Sequence, residues 1–389
     1  LNFINEENDT FIRPTDINLR QHTYNGSNKL APVIVDGSAL YVQARGSIIR
    51  DLGFNFQVDG YQGNDLTIFS SHLFDDYTLS DWTYQQTPNS IVWAARSDGA
   101  LLGLTLVREQ QLLAWHRHEF QDATVKNVAC IPAGSEDALY MAMERTIDGR
   151  SVKYIEKLAT RKISDVVDAV FLDSSKTYDG RNSNDSHTMT ITAVSAGLWT
   201  YEDDLLVTSS SAYFPTDGSV EGNGINFTDS NGEELRCTII SGVSSTQVLA
   251  RPHKTVPADL QGNATSAWTY AVDQVTGLWH LEGKSVSVFA DSYVVASPNN
   301  SAYATLTVTN GIITLPKPYG VIHVGLPYIS DLETLNIDVA DGETLSNKKM
   351  NIQEVTAFVE KSRGMWVGAK PPSDDTANPL ENLREAKIR

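Results

Sequence analysis

His116, Arg117 and His118, in the run LLAWHRHEF, are the first residues of the sequence whose types and spacing could do chemistry. On a strand, side chains two positions apart project from the same face, so both imidazoles could reach one metal ion. A zinc site needs three or four protein ligands, and the sequence nominates no third. The competing reading is a polar strand end with Trp115 on the opposite face, and on it no metal ligand is assigned. Carboxylate pairs are plentiful: Asp75-Asp76, Glu136-Asp137, Asp203-Asp204 and Glu233-Glu234. A glycosidase needs two acids facing each other across a saccharide cleft, which aromatic residues could line. Neighbouring acids on a strand point to opposite faces, however, and a sequence with 48 acidic residues produces such pairs by chance. No GxSxG, GxxxxGK[ST] or HExxH motif is present, and Gly222-Asn223-Gly224 lies in a turn context with no helix after it. The expectation is therefore a protein that is not an enzyme, with no catalytic, cofactor-binding or metal-binding residues and no cofactor.

Composition points the same way. Thirty basic against 48 acidic residues give a formal charge of −18, which leaves no obvious basic face for gripping phosphates. An acidic surface favours solubility, or a wall that DNA passes without sticking. The two cysteines, Cys130 and Cys237, lie more than a hundred residues apart in no metal-ligand or redox spacing, and read as small apolar side chains. Asn226-Phe227-Thr228 and Asn263-Ala264-Thr265 match glycan acceptors, but no secretory signal accompanies them. No apolar run reaches the roughly 18 residues a membrane span needs. Leu1 in place of Met, and the charged run at the other end, mark the sequence as a piece of a longer polypeptide.

The elements that must position these residues are short strands. Between Asp81 and Leu158, apolar and β-branched runs alternate with turn signals at Asn89, Asp98-Gly99, Pro132-Ala133-Gly134 and Asp148-Gly149. Asp-Gly supplies the positive φ of a tight hairpin, so antiparallel meanders are expected. Val33, Val35, Leu40 and Val42 flank another such turn at Asp36-Gly37. A strand over Thr67 to Phe69, a helical turn at His72 to Asp75 and a short amphipathic piece at Ser164 to Val170 follow from the local pattern. The polar stretch from Ser174 to His187 is the best boundary signal. Beyond it, short strands around Ile225, Phe227, Leu235, Ile239 and Val248 have the size of a small SH3-like barrel. Asn310-Gly311 joins two further strands, and alternation at Val355, Ala357 and Val359 predicts one more strand pair. Trp82, Trp93, Trp115, Trp279 and Trp366 are expected to anchor sheet packing. Arg96, Arg108, Arg117 and Arg145, at strand ends, either pair with acids of a neighbouring sheet or subunit or stand in solvent.

Four segments result: a propeller-like sheet region over 1–182, an inserted small barrel over 183–260, a second β region over 261–370 and a loop or flexible tail over 371–389. The fold class is all-β, a propeller-like body of antiparallel meanders with an inserted small barrel and a sandwich-like region.

PNSIVWAARSDGALLGLTLVREQQLLAWHRHEF, followed by NVACIPAGSEDALYMAMERTIDGRSVKYIEKL, resembles the tail nozzle or tail tubular protein B-like family of short-tailed bacteriophages and related prophages. APVIVDGSALYVQARGSIIRDLGFNFQVDGYQGNDLTIFSSHLF, VTGLWHLEGKSVSVFADSYVV and ITLPKPYGVIHVGLPYISDLETL are similar to other parts of the same pattern. The stretch from about Thr188 to Leu260 resembles the small barrel inserted in many members. The resemblance implies a structural virion protein made in the bacterial cytoplasm and assembled as a homo-oligomeric ring around the DNA exit channel. It further implies tail partners (an adaptor ring, fibres or a needle) and DNA that passes without specific binding. No catalytic residue comes with it. The alternative is a carbohydrate-binding or depolymerase tail module.

Overall fold

The computed structural model describes residues 24–56, 60–110, 112–195, 197–201, 203–300 and 302–333, with short pieces at 354–359, 365–368, 370 and 382–386. It is all-β, as expected. The described residues hold antiparallel sheets and four single-turn 3-10 helices, with no α-helix.

Three meanders follow one another. The first sheet orders β1 (Val33–Val35), β2 (Ser38–Val42), β3 (Ile49–Asn55) and β4 (Gly60–Asp65). The second orders β5 (Leu79–Gln85), β6 (Ile91–Arg96), β7 (Leu101–Val107) and β8 (Leu112–His118). The third holds β9 (Ala123–Ala133), β10 (Glu136–Ile147) and β11 (Arg150–Lys157). The turns do what their residues dictate. Asp36-Gly37 and Asp148-Gly149 each place two consecutive residues at positive φ, the geometry of a two-residue hairpin. At Asp98-Gly99 only Gly99 has positive φ, and the Asp98 carboxylate holds the four-residue turn by accepting from the Arg96 side chain and from Ala100 N.

The meanders stack face to face. Val92 and Ala94 of β6 join Leu102, Leu104 and Leu106 of β7 in a core shared with Val35, Leu40, Val42 and Ile49 of the first sheet. Ile91, Trp93 and Ala95 project from the other face of β6 and meet Val125, Leu139, Met141 and Met143 of the third sheet. A strand covered on both faces has no polar side to present. All six residues of β6 are buried, which explains the unbroken IVWAAR where an alternating strand would need a polar partner at every second position. Trp82 Nε1 donates to Ala31 O (2.7 Å) and Trp115 Nε1 to Leu66 O (2.9 Å), tying the second sheet to the loops of the first.

The chain then enters a fourth sheet through β12 (Asp173–Asp179), leaves it, and returns to it at Ser285, on the order of a hundred residues later. The excursion forms β13 (Met189–Ala193), β14 (Leu205–Ser209), β15 (Gly224–Thr228), β16 (Glu234–Ser244), β17 (Gln247–Pro252), β18 (Ala264–Thr265) and β19 (Trp268–Val275). After β20 (Ser285–Ala290), β21 (Tyr293–Ala296), β22 (Leu306–Thr307) and β23 (Ile313–Tyr319), β24 (Val321–Leu326) pairs with β12. The strands of the excursion, with β23 added at one edge, make an eight-stranded sheet ordered β18-β13-β14-β17-β16-β15-β19-β23. It wraps one core, with Ile191, Val207, Phe227, Leu235, Val248 and Trp268 among its members. The closed SH3-like barrel expected here is not formed. The ladder stays open because one of its sides continues from β15 through β19 to β23, so that edge is used to join the neighbouring region. Trp268 also carries this core past residue 260. The fourth sheet, ordered β12-β24-β20-β21 with β22 on β20, shares a second core with β19 and β23, a sandwich-like arrangement.

Gly180 marks the junction of the two. Its N–H donates to Gly320 O (2.9 Å), its carbonyl accepts from Tyr270 N (2.8 Å), and a Cβ there would lie 1.9 Å from Tyr270 O. A backbone carbonyl has no rotamer by which to move aside. Gly180→Ala is expected to cost about 2–3 kcal/mol in urea unfolding; an unchanged midpoint would show that the junction is looser than this geometry.

Several local expectations fail. Thr67 to Phe69 form no strand, and Phe69 is exposed; the 3-10 turn at Ser71–Leu73 follows directly. Val355, Ala357 and Val359 alternate correctly but lie outside any strand, with Phe358 fully in solvent. Alternation alone gives no ladder partner. Among the described residues of this region, the strand is β25 (Met365–Val367), paired with β26 (Arg384–Ala386) inside the segment expected to be a tail. Trp279 and Trp366 are exposed and anchor no core.

Candidate functional site

The His116–His118 region lies on the edge strand β8, against the seam between the second and third sheets. Both rings pack on the buried indole of Trp93, each with its centroid 5.5 Å away and 5.1 Å from the other. His116 reaches Trp93 because β7 carries Gly103 opposite it: a Cβ there would lie 2.3 Å from the imidazole. Arg161 lies over the same indole from the far side of the seam, 5.8 Å from its ring. So the two imidazoles do share a face, as their spacing requires. Among the described residues, however, no group of three or more His, Cys, Asp or Glu is placed to hold a metal.

What this arrangement sets is protonation. Burial pushes the His118 pKa down to about 4, with His116 and the Arg161 charge adding to the effect, and burial together with Arg161 lowers His116 as well. His118 Nε2 is buried without a hydrogen-bond partner. Its folded pKa lies below the ordinary value of 6.5, so the unfolded chain binds the proton first. Stability from this group is complete above about pH 6.5 and falls as the pH drops towards 4. Between pH 7 and 4, His118→Gln should remove a loss on the order of 2 kcal/mol, after allowance for partial solvent access. Parallel pH–stability curves for the two proteins would rule this out.

The carboxylate pairs serve the backbone and the surface. Asp137 accepts from Gln86 N and Thr87 N, and Glu136 from the Thr160 hydroxyl. Asp203 caps Thr200, while Asp204 pairs with Arg251 across two strands. Glu233 meets Lys254 and Glu234 meets Arg236. Each member of these three pairs thus has its own partner, and none of the pairs acts as a joined acid couple.

The arginines carry more than the sequence revealed. Arg96 is buried, paired with Asp98, donating to Leu73 O (2.8 Å) and lying 3.9 Å from the Tyr77 ring centroid. Arg108, in the 3-10 turn between β7 and β8, reaches Asp51 on the first sheet at 3.3 Å. Arg145 is 3% exposed and donates to both Glu156 of β11 (2.7 Å) and Asp173, the first residue of β12 (2.7 Å). Burial alone would lower its pKa; the two carboxylates outweigh that and hold it well above the usual range. Only Arg117, paired with Glu119, stays in solvent. His323, unremarkable in sequence, is buried and uses both ring nitrogens: Nδ1 bonds the Thr177 hydroxyl (2.7 Å) and Nε2 the Val167 carbonyl (2.8 Å). Lys284, just before β20 of the fourth sheet, pairs with Asp122, just before β9 of the third. Cys237 is buried, its thiol pushed up to about 12, and Cys130 is pushed up to about 11, also by burial, so neither is a nucleophile at neutral pH. Asn226 is buried and bonded to Glu234, which leaves its amide inaccessible to a glycosyl transferase in the folded chain.

The sequence matches no protein-family model and no curated protein. No helix among the described residues is long and apolar enough to cross a membrane.

Proposed function

We propose that the chain is a structural component of a short-tailed phage tail, a nozzle or tail tubular protein forming part of the wall of the DNA-ejection conduit. The observation that carries the reading is the face-to-face stack of consecutive meanders, with the middle sheet buried on both sides. That stacking is how propeller-like bodies are built. The acidic charge suits a wall past which a polyanion must slide, because each phosphate contact would add drag.

The ends of the stack support a ring. One outer face presents Ile34, Phe54 and Tyr61, and the other presents Ile131 and Ile155, all substantially exposed. The two faces differ, so a contact joining one to the other between copies is head-to-tail, the kind that forms a cyclic assembly when the rotation between copies closes. Fibres, a needle and an adaptor ring are the partners such a ring would hold. The decisive experiment is the mass of the full-length protein in solution, with electron microscopy of the particles and immunogold labelling of virions. Closed rings, and label at the tail, are expected. A monomer at all concentrations that forms no ring with tail extracts, and no label on virions, would overturn the proposal.

A further inference from the structure

The third sheet treats its two edges differently. At β9 two outward N–H groups are taken by side chains of β5: Val128 N donates to Asp81 Oδ2 (3.0 Å) and Cys130 N to the Thr83 hydroxyl (3.1 Å). At β11 nothing equivalent is found. Leu158 N donates to Leu139 O (2.9 Å), and that bond fixes the alternation of the ladder. Val152, Tyr154 and Glu156 turn their N–H and C=O groups towards β10, whereas Lys153, Ile155 and Lys157 turn theirs away. Among the described residues no element pairs with that side of β11. The first and second sheets each have four strands and the third has three, so the open edge is where a fourth would lie.

We propose that this edge takes an extended, acidic strand of another protein, laid antiparallel to β11 so that the third sheet gains its fourth strand. The backbone groups select an extended segment, because they recur at every second residue. The side chains select its charge. Lys153, Ile155 and Lys157 stand across from Glu144, Ala142 and Tyr140, which alternate with the core residues Met143, Met141 and Leu139 and so share the outer face. All three are exposed, Ile155 by 75%. The Glu144 carboxylate is already taken by Lys126 (3.0 Å) and the Ser151 hydroxyl (2.6 Å). Neither Lys153 nor Lys157 has an ion pair among the described residues. Lysines on an edge also guard it against self-pairing, since a second β11 would set cations against cations. A strand with acids opposite Lys153 and Lys157 and an apolar residue opposite Ile155 instead meets a complement at all three positions. The described edge strands of a second copy offer no such strand. Only β12 among them carries two acids, and Arg145 holds Asp173 while Arg181 holds Asp179.

An added strand lies beside β11 and widens the outer face, so its test needs no ring. The full chain is titrated with the peptide Thr-Glu-Thr-Val-Thr-Glu-Thr at low salt, followed by ligand-observed NMR. Binding in the millimolar range or tighter is expected. N-methylation of the Glu and Val residues, whose N–H groups would face β11, should abolish it; N-methylation of the intervening Thr residues should leave it. Lys153→Glu combined with Lys157→Glu should weaken the acidic peptide at least about tenfold and admit the peptide with Lys in place of Glu, with the unfolding midpoint close to that of the parent. No binding by the acidic peptide, as when a second copy or another segment of this chain already fills the edge, would overturn the proposal. So would equal binding after methylation of the Glu and Val nitrogens, or undiminished affinity in the doubly reversed variant.

Discussion

Arg145→Met should lower the unfolding free energy by about 3–5 kcal/mol, as measured by urea titration at pH 7. The guanidinium is almost wholly buried and shared by Glu156 and Asp173, which come from different sheets. Removing the cation leaves two carboxylates, 20% and 12% exposed, facing one another without a counter-charge. The loss therefore comes from stranding charge in a poorly solvated seam, more than from forfeiting an attraction. Two companions separate these contributions. Arg145→Lys keeps the charge but cannot fork to both acids, and should recover less than half of the loss. Combining Arg145→Met with Glu156→Gln and Asp173→Asn removes the stranded charge and should restore much of the stability. If the triple variant were no better than Arg145→Met alone, the seam would depend on the shape of the arginine and not on its charge.

That seam also marks what could be read from the sequence. Turn chemistry is local, so Asp36-Gly37 and Asp148-Gly149 announced their hairpins, whereas Asn310-Gly311 makes a tight turn closed by the single Thr309–Ile312 bridge and the strands on either side of it pair elsewhere. The unbroken apolar run at Ile91–Ala95 showed a buried strand, and its alternate residues feed two cores. Pairings made at long range left no such mark. Nothing near Asp173–Asp179 states that its partner is Val321–Leu326, because the ladder is fixed by backbone groups common to every residue. The same holds for Arg145, whose two acids lie 11 and 28 positions away on separate elements. The wrapped sheet was legible in size and composition but not in closure, since whether the ladder closes depends on where β19 and β23 go. At the histidines the spacing gave the shared face correctly. It could not give the indole beneath them or the arginine across the seam, and those decide that the imidazoles stay neutral.

Trp93→Ala is the second large effect expected, about 3–5 kcal/mol by the same measurement. Trp93 is completely buried, lies at the centre of the seam between the second and third sheets, and donates from Nε1 to Gln85 Oε1 at 2.9 Å. Truncation loses the apolar transfer term and leaves a void that strand-mounted neighbours cannot close. It also strands the Gln85 carbonyl, although Gln85 keeps its own donation to Asp137 O. Trp93→Phe retains most of the ring and loses the N–H, so it should cost about 1–2 kcal/mol. A second consequence separates this residue from any other core tryptophan. His116 and His118 rest on its ring, and the low His118 pKa of about 4 comes first from burial. Opening the site to water should return that pKa towards 6.5, so the variant should be less stable at pH 7 yet lose less further stability on acidification to pH 4. Measured as a double-mutant cycle with His118→Gln, the two changes should be coupled by packing at both pH values and more strongly non-additive at pH 4.5 than at pH 8. Equal coupling at both pH values would mean that the indole holds the imidazole by packing alone, and that its exclusion of water contributes nothing.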